Sequence, residues 1–516
     1  MAKGYYFGVF TMLMNKSVRS KLGLVVLLLA TGVMLHARGT GTDTQAATYN
    51  VRAFGAVGDG KNLDSPAINA AIDACAKAGG GTVVVPAGTF LSGSIRLKSH
   101  IELHLAAGAV ILGAPQELKA YDVAEPFEGK AYQDEGHTYF HNSLIWGENL
   151  TNVAITGQGM INGGAMIKGD KPLDYGNKSI VLKNCRSILI RDVTIYHGGH
   201  FAILTTGCDN LTIDNVTIDT NRDGIDLDCC RNTVVSNCRI NSPADDGLCP
   251  KSTYALGRRV ITENMTIMNC QVSGFTEGTL LDGTMVPSKH GTGRIKFGTE
   301  SSGGFRNVTV ANCTFRNCRG LALEEVDGGI MENISIQNIT MMDVIDYPIY
   351  ITLGQRNRTP DATTGTLRNI SIANVIATGV DKKSGIQITG LPGHDVEGVR
   401  LQNIRLQFAG GGTTENAAIN PPELDKGYPE PSKIGTMPAY GLFARHVKDL
   451  EMSDVRFTFE KEESRPALVC DDVEGLEIDN FRAQEGAGAR PKVAVFTGVK
   501  GIVQRNSPQL DGIQSK

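Results

Sequence analysis

The sequence predicts an all-β protein that folds as a single right-handed parallel β-helix with a short N-terminal capping helix. A short pattern of alternating apolar and polar residues recurs along most of the chain, and Asn recurs at one position within it. The pattern at residues 210–218 is repeated 22 residues later at residues 232–240. Such alternation is typical of short strands. Strands that recur at a regular interval along the chain indicate a coil in which each winding, here called a rung, stacks on the one before it. A propeller would need several strands per blade and longer periods.

Residues 1–47 are predicted to form a signal peptide. An apolar run from Leu22 to Leu35 is short for a membrane span and suits a signal-peptide core. It follows the basic residues Lys16, Arg19 and Lys21. Met14 is an alternative start, because the residues before it add nothing that a signal peptide needs. We therefore expect a secreted or periplasmic protein whose mature chain, residues 48–516, is one β-helix domain without a membrane span.

Composition and cysteine placement exclude several classes of protein. The chain has 516 residues and a formal net charge of −4, which indicates neither a nucleic-acid partner nor another strongly charged partner. Its 11 Cys leave at least one unpaired. Several lie at a fixed interval in sequence from the apolar residue of a repeat. Cys238, for example, lies three residues after Val235. This phasing predicts mostly free, buried thiols stacked inside the coil and indicates no metal site.

The residues ahead of the repeats are predicted to begin the coil. Residues 64–77 have apolar positions at helical spacing after an Asp-Ser N-cap, and we expect this helix to cover the open end of the coil. Residues 79–86 and 101–105 are typical of strands in the first rungs. The glycines at 79–81 are not a nucleotide-binding loop, because the strand follows them. The Gly-, Pro- and charge-rich residues 409–438 predict a long loop near the functional cleft.

The repeated asparagines are predicted to stack at a turn. The repeats begin near Asn152, Ser187, Asn210, Asn232, Asn264, Asn307, Asn333, Asn369, Gly398, Asp449 and Gly475. Five of these asparagines lie in Asn-X-Ser/Thr sequences. We interpret them as stacked turn amides rather than glycosylation sites, because their phase is regular.

Three aspartates lie at matching phases of two consecutive repeats. Asp223 follows Asn210 by the same interval as Asp245 follows Asn232, and Asp246 is adjacent. Neighbouring parallel strands lie about 4.8 Å apart, so three carboxyl groups should converge on one patch. Close carboxylates repel and raise at least one pKa, which places a proton donor beside a base. A surface ladder of acidic residues and a calcium site are the alternatives.

Four motifs carry a resemblance to a known family. They are FGAVGDG at residues 54–60, GGGTVVVPAG at 79–88, NRDGID at 221–226 and DDGLCPKS at 245–252. Together they resemble glycoside hydrolase family 28, the polygalacturonase and rhamnogalacturonase family, over residues 49–481. The resemblance implies a right-handed parallel β-helix that hydrolyses the α-glycosidic bonds of pectic polysaccharides or oligosaccharides with inversion. It also implies a catalytic domain that needs no cofactor or metal and binds no nucleic acid, and we expect a monomer.

The resemblance also implies roles for the aspartates. Asp245 would be the general acid, and Asp223 and Asp246 would activate the attacking water. Asn221 matches the Asn of the family's Asn-Thr-Asp motif, with Arg222 in place of Thr. Inverting enzymes usually separate their carboxyl groups by about 6.5–9.5 Å, and stacked rungs give a shorter spacing. Inversion is compatible with this shorter spacing if two carboxylates on adjacent rungs share one water.

Two departures from the family concern the substrate. Residues 296–304 lack the Gly-His-Gly motif, and Arg294-Ile295-Lys296 matches the Arg-Ile-Lys motif one rung earlier than expected. At the expected phase stand Ala322 and Glu324, and Glu324 would repel a uronate. We therefore expect a rhamnogalacturonan-type or otherwise decorated pectic substrate, unless Arg294 and Lys296 reach the same place from their own rung.

Other polar residues are candidate sugar contacts, each with a structural role as the alternative. His200 lies 23 residues before Asp223, one rung back. The remaining candidates are Asp226 for a sugar hydroxyl, Lys251, Arg294 and Lys296 for carboxylates, and Tyr350 for stacking on a sugar ring.

Two other functions remain open at the level of sequence. A pectin-active lyase on the same fold would bind calcium through acidic residues and use a Lys or Arg as base. A non-enzymatic carbohydrate-binding β-helix, such as an adhesin or spike domain, would use the acidic ladder only for solvation. The Asn-X-Asp motif followed one rung later by Asp-Asp favours the hydrolase. The loops at the cleft ends would decide between endo and exo cleavage.

Overall fold

The computed structural model describes residues 48–126, 134–166, 177–356, 358–383, 385–486 and 493–516. All the elements below belong to one compact unit, Ala47–Lys516. The predicted signal peptide, residues 1–47, lies outside the described residues. Within the described ranges, no helix has the length and apolar character that a bilayer crossing requires.

One row of parallel strands carries the Asn-containing repeat and extends through the whole coil. Its strands are Thr48–Asn50, Gly81–Val85, Ile101–Leu105, Thr151–Thr156, Arg186–Arg191, Asp209–Asp214, Arg231–Ser236, Thr262–Met268, Gly304–Ala311, Ile330–Met342, Thr366–Val380, Val396–Gly410, Leu442–Lys461, Leu468–Asp479 and Lys500–Arg505. The regular parallel pairing along this row confirms the predicted repeat.

A second row follows the first around each rung. Its strands are Asp59–Leu63, Gly88–Ser92, Ala109–Gly113, Met160–Asn162, Thr194–Tyr196, Thr217–Asp219, Arg239–Asn241, Gln271–Ser273, Thr314–Arg316 and Arg482–Ala483. The strand Ile330–Met342 pairs with strands of both rows, because it bends around the corner without a break.

A third row completes each rung and carries the candidate site. Six of its strands form a separate sheet: Ile95–Arg96, Ile145–Glu148, Ile180–Lys183, Phe201–Thr206, Asp223–Asp228 and Leu248–Lys251. The row continues through Lys296–Phe297, Arg319–Glu325, Ile345–Leu353, Ile386–Thr389 and Ala494–Thr497. The three parallel rows wind into a right-handed parallel β-helix, as the sequence predicts.

Helical segments are short and lie outside the three rows. The α-helices are Ser65–Lys77, Thr414–Ala417 and Pro431–Ile434, and the 3-10 helices are Val51–Phe54, Gln116–Leu118, Glu135–His137 and Pro508–Leu510. The first α-helix buries Ile68, Ala71, Ile72 and Cys75 against the first rungs, so it covers the N-terminal end of the coil as predicted. The predicted N-cap hydrogen bond from the helix to the Asp64 side chain is not formed. The Asp64 carboxylate instead accepts hydrogen bonds from the backbone N–H groups of Val57 and Gly58.

The interior of the coil is a stack of apolar side chains. Ile190, Ile213, Val235, Ile267 and Val310 occupy aligned positions on successive strands, and each is fully buried. All 11 Cys are buried and unpaired, which confirms the prediction of free thiols in the core.

Stacked amides hold a bend near the start of several strands of the first row. Asn307 Nδ2 donates to Asn264 Oδ1 over 3.1 Å, and Asn333 Nδ2 donates to Asn307 Oδ1 over 3.0 Å. All three residues have a left-handed backbone with φ between 55° and 58°, which Asn tolerates better than most residues. A second ladder, which the sequence analysis did not identify, joins Asn237, Asn269, Asn312, Asn338, Asn374 and Asn403 at the next corner.

We predict that two substitutions of Asn307 separate the two contributions of this ladder. Asn307→Gly removes two amide hydrogen bonds without backbone strain and should cost about 1–2 kcal/mol of unfolding free energy. Asn307→Ala adds the left-handed strain and should cost about 1 kcal/mol more. Urea denaturation of both variants measures the difference. Equal losses would show that backbone conformation does not contribute at this turn.

Candidate active site

The three predicted aspartates converge on one edge of the coil. Asp223 begins a third-row strand, and Asp245 and Asp246 end the turn before the next one, Leu248–Lys251. The three residues offer carboxylate oxygens that all lie within 4.8 Å of one another. The register differs from the predicted one by a single residue: Gly224 N donates to Asp246 O over 3.0 Å, which aligns Asp223 with Asp246 rather than with Asp245. The turn before Leu248 contains one residue more than equal repeats would allow.

Asp246 is an ionised carboxylate held by two cations. Arg294 Nε donates to its Oδ1 over 2.8 Å, and Lys296 Nζ lies 2.9 Å from its Oδ2. Both cations belong to the next rung, where Ile295 pairs with Leu248. Burial alone would raise the pKa of Asp246, but the ion pairs with Lys296 and Arg294 outweigh it and hold that pKa far below its ordinary value.

Asp223 is a buried carboxyl group that favours its protonated form. Its Oδ1 has no hydrogen-bond partner within the described ranges, and only 3% of its side chain is exposed. Burial, and then repulsion from Asp245 and Asp226, raises the pKa of Asp223 well above its ordinary value. Asp223 therefore retains its proton at a pH where an isolated aspartate would have lost it. Asp245 is more accessible, because 32% of its side chain is exposed.

Arg222 links the aspartates to a buried histidine. Its Nη2 donates to Asp245 Oδ2 over 3.2 Å and lies 4.0 Å from Asp223 Oδ2. Its Nη1 lies 3.3 Å from His200 Nδ1, while His200 Nε2 lies 3.2 Å from Asp134 Oδ1. Burial lowers the pKa of His200, so the neutral ring accepts from Arg222 and donates to Asp134. His200 therefore positions Arg222, and the predicted sugar contact is not supported because the ring is 1% exposed.

A second group of buried charges lies behind Asp223. Asp226 Oδ2 lies 3.3 Å from Lys251 Nζ and 3.6 Å from His137 Nε2, and Lys251 Nζ also lies 3.5 Å from Glu300 Oε2. Burial raises the pKa of Asp226 to about 6, against the opposing effects of Lys251 and His137. Asp226 and Lys251 are both buried, so neither has the exposure that the predicted sugar contacts require.

A cavity of about 450 Å³ opens beside the aspartates. Its lining consists of Ala244, Asp245, Asp246, His290, Thr292, Arg294, Lys296, Arg319, Tyr428 and Glu430. Tyr428 and Glu430 belong to the loop at residues 409–438, which the sequence analysis placed near the cleft. His290, Arg319, Tyr428 and Glu430 were missed. The only sequence signal was His290-Gly291, which stands a few residues before Arg294 and resembles part of the absent Gly-His-Gly motif.

The structure corrects the predicted positions of Ala322, Glu324 and Tyr350. Ala322 pairs with Lys296 on the neighbouring rung, and Ala322 and Glu324 are both fully buried outside the cavity lining. Glu324 lies 3.8 Å from Arg294 and 4.0 Å from Lys296, so the cations shield its carboxyl group and the predicted repulsion of a uronate is not supported.

The predicted sugar-stacking role of Tyr350 is also not supported. The Tyr350 residue is 2% exposed, and its ring packs 5.7 Å from that of Tyr347, so it offers no open face. Arg294 and Lys296 line the cavity from their own rung, as the rival explanation required. Asn221 is half-buried in the turn before Asp223, and its carbonyl accepts from Ala244 N over 3.1 Å.

Comparisons with known proteins show which chains this one resembles. Residues 48–276 match the sequence model of the family "Rhamnogalacturonase A/epimerase, pectate lyase-like". A probable polygalacturonase of Vitis vinifera is 26% identical over 387 residues, which cover 69% of this chain and 73% of the relative. An exo-poly-alpha-D-galacturonosidase of Dickeya chrysanthemi is 24% identical over 434 residues, which cover 71% of this chain and 69% of the relative.

A solved structure shows the same fold. The hyperthermoactive exopolygalacturonase from Thermotoga maritima superposes with a TM-score of 0.58 at 21% identity, over 86% of this chain and 93% of that chain. Residues 48–276 thus resemble a pectate-lyase-like family, and polygalacturonases are among the homologues of the chain. The resemblance to a polygalacturonase family that the motifs indicated is confirmed.

We predict opposite effects on stability for two isosteric substitutions. Asp223 has a raised folded-state pKa, so its ionisation penalty is absent below pH 4 and grows as the pH rises above the unfolded-state pKa. Asp223→Asn should therefore raise the Tm at pH 7 and leave it nearly unchanged at pH 3. Asp246→Asn should lower the Tm at pH 7, because Arg294 and Lys296 lose their shared anion, at a cost of about 3–5 kcal/mol.

Thermal denaturation at pH 3 and pH 7 tests both expectations. The Asp246→Asn loss should be fully present at pH 7 and smaller at pH 3, because below about pH 4 the unfolded wild-type chain binds a proton that native Asp246 excludes. A higher Tm for Asp246→Asn than for wild type at pH 7 would contradict the assignment of Asp246 as the ionised member.

Proposed function

We propose that this chain is an inverting glycoside hydrolase of family 28 that cleaves an α-glycosidic bond in a pectic polysaccharide or oligosaccharide of the galacturonan or rhamnogalacturonan type. The observation that carries the proposal is the division of charge among the three aspartates. Asp246 is held as a carboxylate, and Asp223 favours its protonated form. Acid and base therefore lie within one group of side chains, as glycoside hydrolysis requires. The polygalacturonase relatives support the substrate class.

Asp245 is the general acid in this mechanism. It is the most exposed of the three aspartates and lines the cavity, so it can reach the glycosidic oxygen. Its carboxyl proton passes to that oxygen as the bond from the anomeric carbon to the leaving oxygen breaks. Arg222 contacts both Asp245 and Asp223 and can stabilise the negative charge left on Asp245.

Asp246 and Asp223 activate the water. The water attacks the anomeric carbon from the face opposite the leaving oxygen and gives its proton to this carboxylate pair. The mechanism requires that, with substrate bound, the proton lies on Asp245 and leaves Asp223 able to accept. Arg294 and Lys296 hold Asp246 in place and keep it ionised.

The short spacing of the carboxyl groups bears on stereochemistry. Separations near 5 Å are usual for retaining enzymes, and inverting enzymes usually have about 6.5–9.5 Å. We infer inversion because two carboxylates on adjacent rungs can hold a single water, and no separate nucleophile is then needed.

A lyase is the second candidate, and one observation favours it. Asp223, Asp245 and Asp246 have the spacing of a cation site, with Lys296 and Arg294 next to them. A lyase would use a cation to bind the uronate and a basic residue to remove a proton from the sugar.

We predict that Asp245→Asn lowers kcat by about 10²–10⁴, because the proton donor is lost while the shape is kept. Asp282→Asn is the matched control, since Asp282 is exposed, bonds Thr284 and lies outside the cavity lining. Reducing-end release from polygalacturonate and from rhamnogalacturonan, with the Tm of each variant, provides the measurement. A wild-type rate for folded Asp245→Asn would remove Asp245 from the mechanism.

We also predict the chemistry of the product. Proton NMR of the earliest product should show the anomer of inverted configuration, and the rate should persist in a chelator. A product of retained configuration would refute inversion. An unsaturated product, formed only when calcium is restored after chelation, would favour the lyase.

A further inference from the structure

Glu430 bridges two arginines at the wall of the cavity. Arg294 Nη2 donates to Glu430 Oε1 over 3.0 Å, and Arg319 Nη1 donates to Glu430 Oε2 over 2.6 Å. Each carboxylate oxygen therefore binds a guanidinium from a different rung. This is the arrangement by which proteins hold the carboxylate of a ligand, with charge-assisted hydrogen bonds to both oxygens.

Each arginine also contacts an aspartate. Arg294 Nε donates to Asp246, and Arg319 Nε lies 3.0 Å from Asp346 Oδ2. A guanidinium has five donors, so each arginine can bind its own aspartate and one further carboxylate at the same time. Glu430 occupies that further position on both.

The position of Glu430 in the chain allows its side chain to leave. The residue lies in a loop between the strands Val396–Gly410 and Leu442–Lys461 and takes part in no strand ladder. Its backbone is held by short-range hydrogen bonds, from its own N–H to Tyr428 O and from Lys433 N–H to its carbonyl. Its carboxylate is 16% exposed, so rotation of the side chain would open the arginine pair to the cavity without disturbing the β-helix.

On the premise of the proposed function, we propose that Glu430 is a specificity residue that occupies the place of a substrate carboxylate. A uronate that enters this part of the cavity must displace Glu430 from Arg294 and Arg319, whereas a neutral sugar need not. The wild-type protein therefore discriminates against a uronate at this subsite and favours a neutral sugar unit there.

The test compares the binding of two monosaccharides that differ only in the acid group. Isothermal titration with D-galacturonate and D-galactose is performed on wild type, on Glu430→Gln and on Glu415→Gln. Glu430→Gln keeps the size of the side chain but removes its charge. Glu415→Gln is the matched control, because Glu415 is an exposed residue of the same loop that does not line the cavity.

Glu430→Gln should tighten the Kd for galacturonate by at least about tenfold, since a competing charge-assisted interaction is removed. The Kd for galactose should stay unchanged, and the control should match wild type with both sugars. Adding Arg319→Gln to Glu430→Gln should abolish the gain, which locates the binding at this arginine pair.

Glu430→Ala is tested in parallel, because the Gln amide could retain the bridge to the arginines. Galacturonate binding that is unchanged, undetectable or weakened in both Glu430→Gln and Glu430→Ala would overturn the proposal. Weakened binding would show that Glu430 serves to position the arginines. These readouts need no turnover, so failure of the hydrolase proposal, seen as no cleavage of any pectic fraction by wild type, remains a separate result.

Discussion

The parallel register between adjacent rungs is the constraint on which the site depends. It places Asp223 and Asp246 on neighbouring strands about 4.8 Å apart, with Asp245 beside them. Ladder hydrogen bonds hold this spacing, and the Asn stacks at two corners hold the turns. The carboxyl groups therefore cannot separate to relieve their repulsion. The repulsion is relieved because Asp223 favours its protonated form and because Arg294 and Lys296 neutralise Asp246, and this division of charge makes acid and base chemistry possible.

Burial of charge links the fold to the proposed activity. Ion pairs removed from water rarely stabilise a protein more than apolar residues of the same size would, so stability alone gives no reason for a buried cluster such as Asp246, Arg294, Lys296 and Glu324. Its value lies in fixing the charge and orientation of Asp246 before substrate arrives. Glu430 extends this arrangement into the cavity, where its carboxylate can compete with that of a substrate.

The fold was predictable because it depends on a repeated local pattern, and the convergence of the three aspartates followed from the same periodicity. The one-residue error in their register arose in the turn before Leu248, since turn length is not set by the strand pattern. Glu324 was misplaced for a related reason: phase alone cannot show which of two rungs borders a cavity. Glu430 was missed because its loop has no periodicity, and only tertiary contacts bring it to Arg294 and Arg319.

The central claim is that Asp246 is ionised while the neighbouring Asp223 carboxyl group is protonated. Neutron diffraction from a deuterium-exchanged crystal near neutral pH tests it most directly, because it locates the hydrogen isotope on each carboxyl group. The account predicts a deuteron on Asp223 and a bare Asp246 between Arg294 and Lys296. A deuteron on Asp246, or a bare Asp223, would contradict it.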